Sequence, residues 1–298
     1  MALRDYLVGE IAEDHADGLL TRREALRRLA LMGVSAPAAV ALLAACGDDD
    51  DSAAASTTTT STATSSSSSS TVTTFVKASE DTITFDGLTA AYGWPNDAPT
   101  AAVLVCHENR GLTDHFHTVA ARFGHQGMAA LCVDLASRAG GTSSMDEGQV
   151  QATLAAAPVE QLVSDLTMGI DELTRRHPRV PIATVGFCFG GAMVWNLLDT
   201  GDERIRAAVP FYGPAPEKPD FTGSRAAVLA IYGGKDDRVN ATRDRAVAAM
   251  KAAGLTYDVI TYDGADHAFF NDTGPRYDAD AAAKAWTATL DWIRTHTT

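Results

Sequence analysis

Residues 182–191 read Ile-Ala-Thr-Val-Gly-Phe-Cys-Phe-Gly-Gly, an apolar run that leads directly into a cysteine flanked by glycines. The part 182–187 is typical of a strand buried on both faces, and the helical pattern AMVWNLLD follows Gly191. The pattern G-x-C-x-G at a strand-to-helix junction holds a nucleophile at the apex of a tight turn, where the glycines remove steric clashes. We therefore predict that Cys188 is a nucleophile, with its thiolate favoured by the N-terminus of the following helix. The alternative is an inert buried cysteine.

Similar apolar runs occur on both sides of this segment and alternate with helical patterns. Residues 82–85 and 88–93 flank Asp86-Gly87 and predict a hairpin. Further strands are predicted at 101–106, 129–133, 207–212, 226–231 and 256–262, and helices at 115–125, 159–176, 190–199, 241–253 and 280–295. This alternation predicts an α/β fold with an N-terminal hairpin, a mostly parallel central sheet and helices on both faces. In such sheets the ligand site lies beyond the carboxyl ends of the strands.

The candidate acid and base each follow a predicted strand. Asp236 lies in a glycine-rich loop after the run 226–231, and His267 follows the run 256–262. The chain order nucleophile, acid, histidine is the order found on α/β-hydrolase sheets. We expect His267 to accept the thiol proton and Asp236 to orient the imidazole. Asp236 is preferred over Asp237 because it fits the spacing G-x-x-D-x-x-V.

Composition and charge exclude several classes of function. The chain has 298 residues, 46% of them hydrophobic, which excludes wholesale disorder. Lys and Arg number 24 against 38 Asp and Glu, a formal net charge of −14, which disfavours nucleic-acid binding. The four cysteines are too few for a disulfide scaffold and have no zinc-site spacing, and we expect Cys106 and Cys132 to be inert core residues. We expect no metal and no cofactor, and the sequence does not determine the oligomeric state.

The first 46 residues have the features of an export signal. A twin-arginine pair lies within residues 21–27, the weakly apolar run Leu29–Ala45 follows, and Cys46 comes next. That run of 17 residues is short for a permanent membrane span. Residues 43–46 (Leu-Ala-Ala-Cys) resemble a bacterial lipobox, which implies lipidation of Cys46 and makes this lipid the only expected contact with a membrane. The alternatives are an uncleaved anchor helix and a twin-arginine signal cut elsewhere.

These features divide the chain into three parts. Residues 1–46 are predicted to be the export signal, 47–74 a disordered Asp/Ser/Thr-rich tether, and 75–298 one folded domain. We therefore expect the protein to be exported to the cell envelope and lipid-anchored at the outer face of the cytoplasmic membrane.

Nearly all of residues 75–298 resembles the dienelactone hydrolase family of α/β-hydrolases. Cys188 within G-F-C-F-G-G, Asp236 within G-x-x-D and His267 within D-H-A-F-F match the family's catalytic triad. The stretch 107–112 (HENRGL) resembles the family motif H-E-x-x-G-L.

The resemblance also implies roles for residues outside the triad. It implies that Glu108 gates ionisation of the nucleophile and that the backbone N–H groups of Asn109 and Phe189 form an oxyanion hole. Arg138 matches a substrate-binding arginine of the family, with a surface arginine as the alternative. The chain departs from the family at Asn271, where the enzyme that opens dienelactones has a second arginine. With one cation fewer, we expect Glu108 to be less restrained and a carboxylate substrate to be held less well.

The hypothesis from sequence is a hydrolase of small-molecule esters or lactones that acts through an acyl-thioenzyme. One alternative is amide hydrolysis or acyl transfer by the same triad. Another is a catalytically silent, surface-binding lipoprotein on the same fold.

Overall fold

The computed structural model describes residues 3–46 and 79–297. Within these ranges eight strands form one sheet: β1 (Ser79–Phe85), β2 (Leu88–Trp94), β3 (Ala102–Cys106), β4 (Ala129–Val133), β5 (Ile182–Phe187), β6 (Ile205–Phe211), β7 (Ala227–Gly233) and β8 (Tyr257–Tyr262). The order is β1-β2-β4-β3-β5-β6-β7-β8. The pairs β1–β2 and β2–β4 are antiparallel and all other pairs are parallel. The predicted α/β class, mostly parallel sheet and N-terminal hairpin are confirmed.

The helices of the hydrolase fold follow the sequence pattern closely. They are α4 (Asp114–His125), α5 (Glu147–Ala156), α6 (Val159–Arg176), α7 (Phe189–Asp199), α8 (Asp237–Asn240), α9 (Arg243–Ala252) and α10 (Ala279–His296). The sequence analysis missed α5, which has no clear apolar stripe. The local signal was Asp146-x-x-Gln149, whose side chains form a reciprocal capping box at its start.

Burial explains why the strands were readable from sequence. Every residue of β3, β4, β5 and β7 is buried, so these strands are continuous apolar runs. Cys106 and Cys132 lie inside β3 and β4 as free thiols with no exposed surface. At the hairpin, Asp86 and Gly87 have φ of 48° and 79°, as the tight turn between right-twisted strands requires.

The N-terminal residues fold into three helices that pack against one another and against the hydrolase fold. They are α1 (Leu3–Ala16), α2 (Arg22–Leu31) and α3 (Ala36–Cys46). α1 contacts α5 and α7, and α2 contacts α5. No helix within residues 3–46 and 79–297 combines the length and the apolar character that crossing a membrane requires. The predicted tether, 47–74, lies outside the described residues.

Candidate active site

The turn between β5 and α7 holds Cys188 in a strained backbone conformation. Its φ is 57° and its ψ is −118°, and its backbone N–H donates to the Phe211 carbonyl at 3.1 Å. A Cβ atom at Gly186 would overlap the Gly190 carbonyl, and one at Gly190 would overlap the carbonyl of Cys106. Both flanking glycines are therefore required for the chain to turn this sharply, as the sequence pattern predicts.

The loops after β7 and β8 bring an acid and an imidazole to the same edge of the sheet. The ring of His267 is 2.6 Å, Nδ1 to Oδ2, from the carboxylate of Asp236. The other oxygen of Asp236 accepts the backbone N–H of Val239 at 3.0 Å, which fixes the carboxylate. The Cys188 sulfur lies within 4.8 Å of an imidazole nitrogen. The neighbouring Asp237 is exposed, so the structure brings together the three predicted residues and leaves the alternative acid in solvent.

Glu108 follows β3 and is held by two buried side chains. Tyr212 donates its hydroxyl to Oε1 at 3.3 Å, and Asn271 donates Nδ2 to Oε2 at 2.7 Å. The Asn271 amide therefore restrains the Glu108 carboxylate through one hydrogen bond, although it supplies no positive charge.

The other predicted site residues divide into two groups. Asn109 is buried and lines the cavity beside Cys188, and Phe189 begins α7 directly after the nucleophile. Arg138 lies elsewhere. Its guanidinium binds the fully buried carboxylate of Asp165 on α6 at 2.6 Å, and it is not among the residues that line the cavity. The structure therefore does not bring Arg138 to the nucleophile, because a buried carboxylate 27 positions later holds its guanidinium.

Two side chains of α1 enter the site. The Tyr6 hydroxyl is 3.1 Å from the Cys188 sulfur and 3.4 Å from Nε2 of His267. The Glu10 carboxylate oxygen Oε2 is 3.3 Å from the same Nε2 and 3.7 Å from the sulfur. The sequence analysis missed both residues, because a contact across about 180 positions leaves no local signal.

A model of the dienelactone hydrolase family matches residues 88–297 of this chain. The chain belongs to the dienelactone hydrolase family. A relative from Methylorubrum extorquens, named "Putative carboxymethylenebutenolidase", is 32% identical over 226 residues, which are 70% of this chain and 77% of the relative. A protein of the same name from Escherichia coli is 28% identical over 225 residues, 70% of this chain and 83% of that protein.

Solved structures support the same fold. The dienelactone hydrolase of Anabaena variabilis superimposes with a TM-score of 0.58 at 19% identity, over 75% of this chain and 100% of that one. A dienelactone hydrolase-like promiscuous phosphotriesterase from metagenomic libraries gives 0.62 at 23% identity, again over 75% and 100%. The match to the family model begins at residue 88, so α1–α3 lie outside it.

The buried charges around Cys188 do not favour ionisation of its thiol. Burial lowers the pKa of His267, but the carboxylates of Glu10 and Asp236 outweigh it and raise this pKa well above its ordinary value. Burial raises the pKa of the Cys188 thiol, and the charge of Glu10 raises it further, against the opposing effect of His267. Burial opposes ionisation of Glu10, yet His267 and Arg238 hold the pKa of Glu10 well below its usual range. In this arrangement Glu10 favours the imidazolium form of His267 and disfavours ionisation of the Cys188 thiol.

Little room is left for a ligand. The cavity beside Cys188 has a volume of about 40 Å³, against ~300–1,000 Å³ for typical small-molecule sites. Its walls include Arg110 and Arg276, which the sequence analysis did not single out. Glu10, Cys188 and His267 each place one possible ligand atom within 4.8 Å of the others, a spacing that a metal ion could bridge.

Proposed function

We propose that this member of the dienelactone hydrolase family hydrolyses small-molecule esters or lactones through a thioester on Cys188. The observation that carries the proposal is the alignment of Asp236, His267 and the strained Cys188 at one edge of the sheet, with 2.6 Å between acid and imidazole. The family supplies the bond type, and these three side chains supply the nucleophile, the base and its orienting acid.

The geometry supports the following sequence of steps. Neutral His267 accepts the thiol proton as the sulfur attacks the ester carbonyl, which gives a tetrahedral intermediate. The backbone N–H groups of Asn109 and Phe189 are proposed to hold its oxyanion, and each such donor is worth about 2.7–4 kcal/mol. The intermediate collapses to a thioester as the imidazolium gives its proton to the departing alcohol. His267 then takes a proton from water, which hydrolyses the thioester and regenerates the thiol.

The test uses a chain with a specific protease site inserted within 47–74, from which residues 1–46 have been cut and removed (the cut chain). We expect it to turn over p-nitrophenyl acetate, and we expect Cys188→Ala and His267→Ala to abolish turnover. Asp236→Asn should lower kcat by about 10²–10⁴-fold by disturbing the imidazole tautomer. Asp237→Asn is the matched control, since this neighbouring carboxylate is exposed, and it should retain full activity. Full activity in both the Cys188 and His267 variants would refute the proposal.

The same assays separate the alternative functions. Turnover of p-nitroacetanilide at a rate comparable to that of the ester would indicate an amide hydrolase. Transfer of the acyl group to an added alcohol or amine would indicate an acyl transferase. A catalytically silent binding protein predicts no turnover and slow alkylation of Cys188 by iodoacetamide below pH 8, as for an unperturbed thiol.

We also propose that the protein is exported and lipidated at Cys46. The order of twin-arginine pair, apolar run and cysteine supports this, and Arg22 and Arg23 are exposed on α2, where an export receptor can reach them. Mass spectrometry of the protein recovered from a bacterial envelope fraction should give a mature chain that begins at a diacylglyceryl Cys46. Replacing both arginines by lysine should retain it in the cytoplasm. A mature N-terminus at another residue would refute the lipidation.

A further inference from the structure

We propose that residues 3–46 are an inhibitory segment, in which α1 occupies the substrate site of the uncut chain, and that a cut ahead of the hydrolase domain opens the site. The inference rests on the proposed function, because it takes the space beside Cys188 as the place where an ester binds. It concerns residues that lie outside the match to the family, which begins at residue 88.

The helix α1 fills the space beside the nucleophile. Tyr6, Leu7 and Ile11 of α1 have no exposed surface, so the helix is packed against the domain and not lying loosely over it. The space left beside the nucleophile, about 40 Å³, is several-fold smaller than typical small-molecule sites of ~300–1,000 Å³. An ester can reach the Cys188 sulfur only after the Tyr6 hydroxyl, 3.1 Å away, has moved.

The carboxylate of Glu10 also changes the charge balance between His267 and Cys188. In a thiol hydrolase the imidazolium is the counter-ion of the thiolate. Here the Glu10 carboxylate, 3.3 Å from Nε2 of His267, takes the place of the thiolate as the counter-ion. Its negative charge, 3.7 Å from the Cys188 sulfur, also disfavours ionisation of the thiol. The helix therefore blocks access and favours the protonated, unreactive form of the Cys188 thiol.

Ion pairs hold α1 against the hydrolase domain. Arg238, directly after the loop of the catalytic acid, forms ion pairs with Glu10 and with Glu13, the latter at 2.7 Å. Its guanidinium also lies over the Tyr6 ring, 4.6 Å from the centroid. Both ion pairs join the N-terminal helix to the hydrolase domain.

A second arginine holds the end of α1 in the same way. Arg276 pairs with Asp14 at 2.9 Å and with Asp17 at 2.5 Å. Ion pairs between separate parts of a chain can exchange for water when the parts separate. The apolar side chains of Tyr6, Leu7 and Ile11 share one buried cluster with the strands, so release of α1 also depends on loss of the covalent link.

The proposed export signal supplies the cut. Processing ahead of Cys46 would remove α1, α2 and nearly all of α3 from the hydrolase domain in a single step. A covalently attached segment has an effective concentration on the order of 1 mM. At an assay concentration of about 1 µM, cutting lowers the effective concentration of the segment roughly a thousandfold. The cut therefore favours dissociation of the segment from the hydrolase domain.

The experiment compares the full chain carrying the inserted protease site before and after cutting. Two readouts are followed: turnover of p-nitrophenyl acetate, and the rate of Cys188 alkylation by iodoacetamide, mapped by peptide mass spectrometry. We expect both rates to rise by at least about tenfold on cutting, within the thousandfold that loss of the covalent link allows. The alkylation readout needs no substrate, so it tests the inhibitory segment independently of the proposed function.

The outcomes are distinguishable. Faster alkylation on cutting without ester turnover would keep the inhibitory segment and overturn the proposed function. Ester turnover that is equal before and after cutting would overturn the inhibitory segment and keep the function. Loss of activity on cutting would also overturn it, since α1 would then contribute to catalysis.

Point variants of the uncut chain provide a second test. The double variant Tyr6→Ala, Glu10→Ala should raise the alkylation rate of Cys188 towards that of the cut chain. Asp5→Ala is the matched control, because Asp5 is exposed on the same helix, and it should leave the rate unchanged. Equal rates in the double variant, the control and the unaltered chain would contradict the proposal.

Discussion

Replacing Glu10 by glutamine removes one negative charge from beside His267 with almost no change of shape. The carboxylate oxygen is 3.3 Å from Nε2, and both side chains are about 95% buried or more. With an effective dielectric constant of about 20, a unit charge at that distance favours the imidazolium by about 5 kcal/mol. Arg238 already offsets part of this charge, and the remainder means that Glu10→Gln should lower the pKa of His267.

The assay is NMR titration of the histidine rings in the uncut chain, with the His267 signal assigned by its absence in His267→Gln. In the unaltered chain this ring should stay protonated past neutral pH, because Glu10 and Asp236 raise its pKa well above 6.5 despite its burial. In Glu10→Gln it should titrate at lower pH. The pH dependence of Cys188 alkylation should shift downwards as well, because Glu10 adds to the effect of burial in raising the thiol pKa.

The same pair of charges sets a window of pH for stability. Folding lowers the pKa of Glu10, so this carboxylate stabilises the folded chain at pH values above its unfolded pKa of 4.5. Folding raises the pKa of His267, so this ring stabilises the folded chain at pH values below its unfolded pKa of 6.5. The advantage of the unaltered chain over Glu10→Gln in urea unfolding should therefore be full between these values. It should decline as the pH rises through the folded pKa of His267. A ring titration that is the same in Glu10→Gln and in the unaltered chain would refute the view of Glu10 as the counter-ion.

Three further predictions follow from contacts around the site. Arg276→Gln removes a clamp on α1 and should speed alkylation of the nucleophile several-fold in the uncut chain, and by a smaller factor in the cut chain; an equal effect in both forms would contradict this. Asn271→Ala leaves the buried Glu108 carboxylate without its 2.7 Å donor, so urea unfolding should show a loss of about 1–3 kcal/mol, and an unchanged midpoint would exclude the contact. Arg138→Ala should leave KM of the cut chain for an anionic ester within about twofold and lower Tm, because the arginine holds Asp165; a large rise in KM would instead show that it binds substrate.

The N-terminal segment has two proposed roles that are physically compatible. Arg22 and Arg23 are exposed on α2, whereas Tyr6 and Glu10 of α1 are buried against the nucleophile. An export receptor and the active site can therefore be engaged by different helices of one segment. The hydrolase would then remain closed until processing.

The positions of Cys188, Asp236 and His267 were predictable because each follows a strand of the parallel part of the sheet. Parallel strands carry their carboxyl ends to one edge, so residues just after them converge whatever their separation along the chain. Arg138 also comes shortly after a strand, yet its side chain turns away to Asp165 on α6. The backbone position of a residue thus followed from sequence, while the direction of a long side chain depended on which partner lay nearby.

The amino-acid sequence by itself determined the strand and helix pattern, the nucleophile turn and the order of the triad, since these depend on local periodicity and on glycines at fixed spacing. Only the tertiary structure showed that Tyr6 and Glu10 contact Cys188 and His267, and that Asn271 donates a hydrogen bond to Glu108. Such contacts join residues up to 261 positions apart. Their energies come from burial and charge at the meeting point, so no local pattern records them.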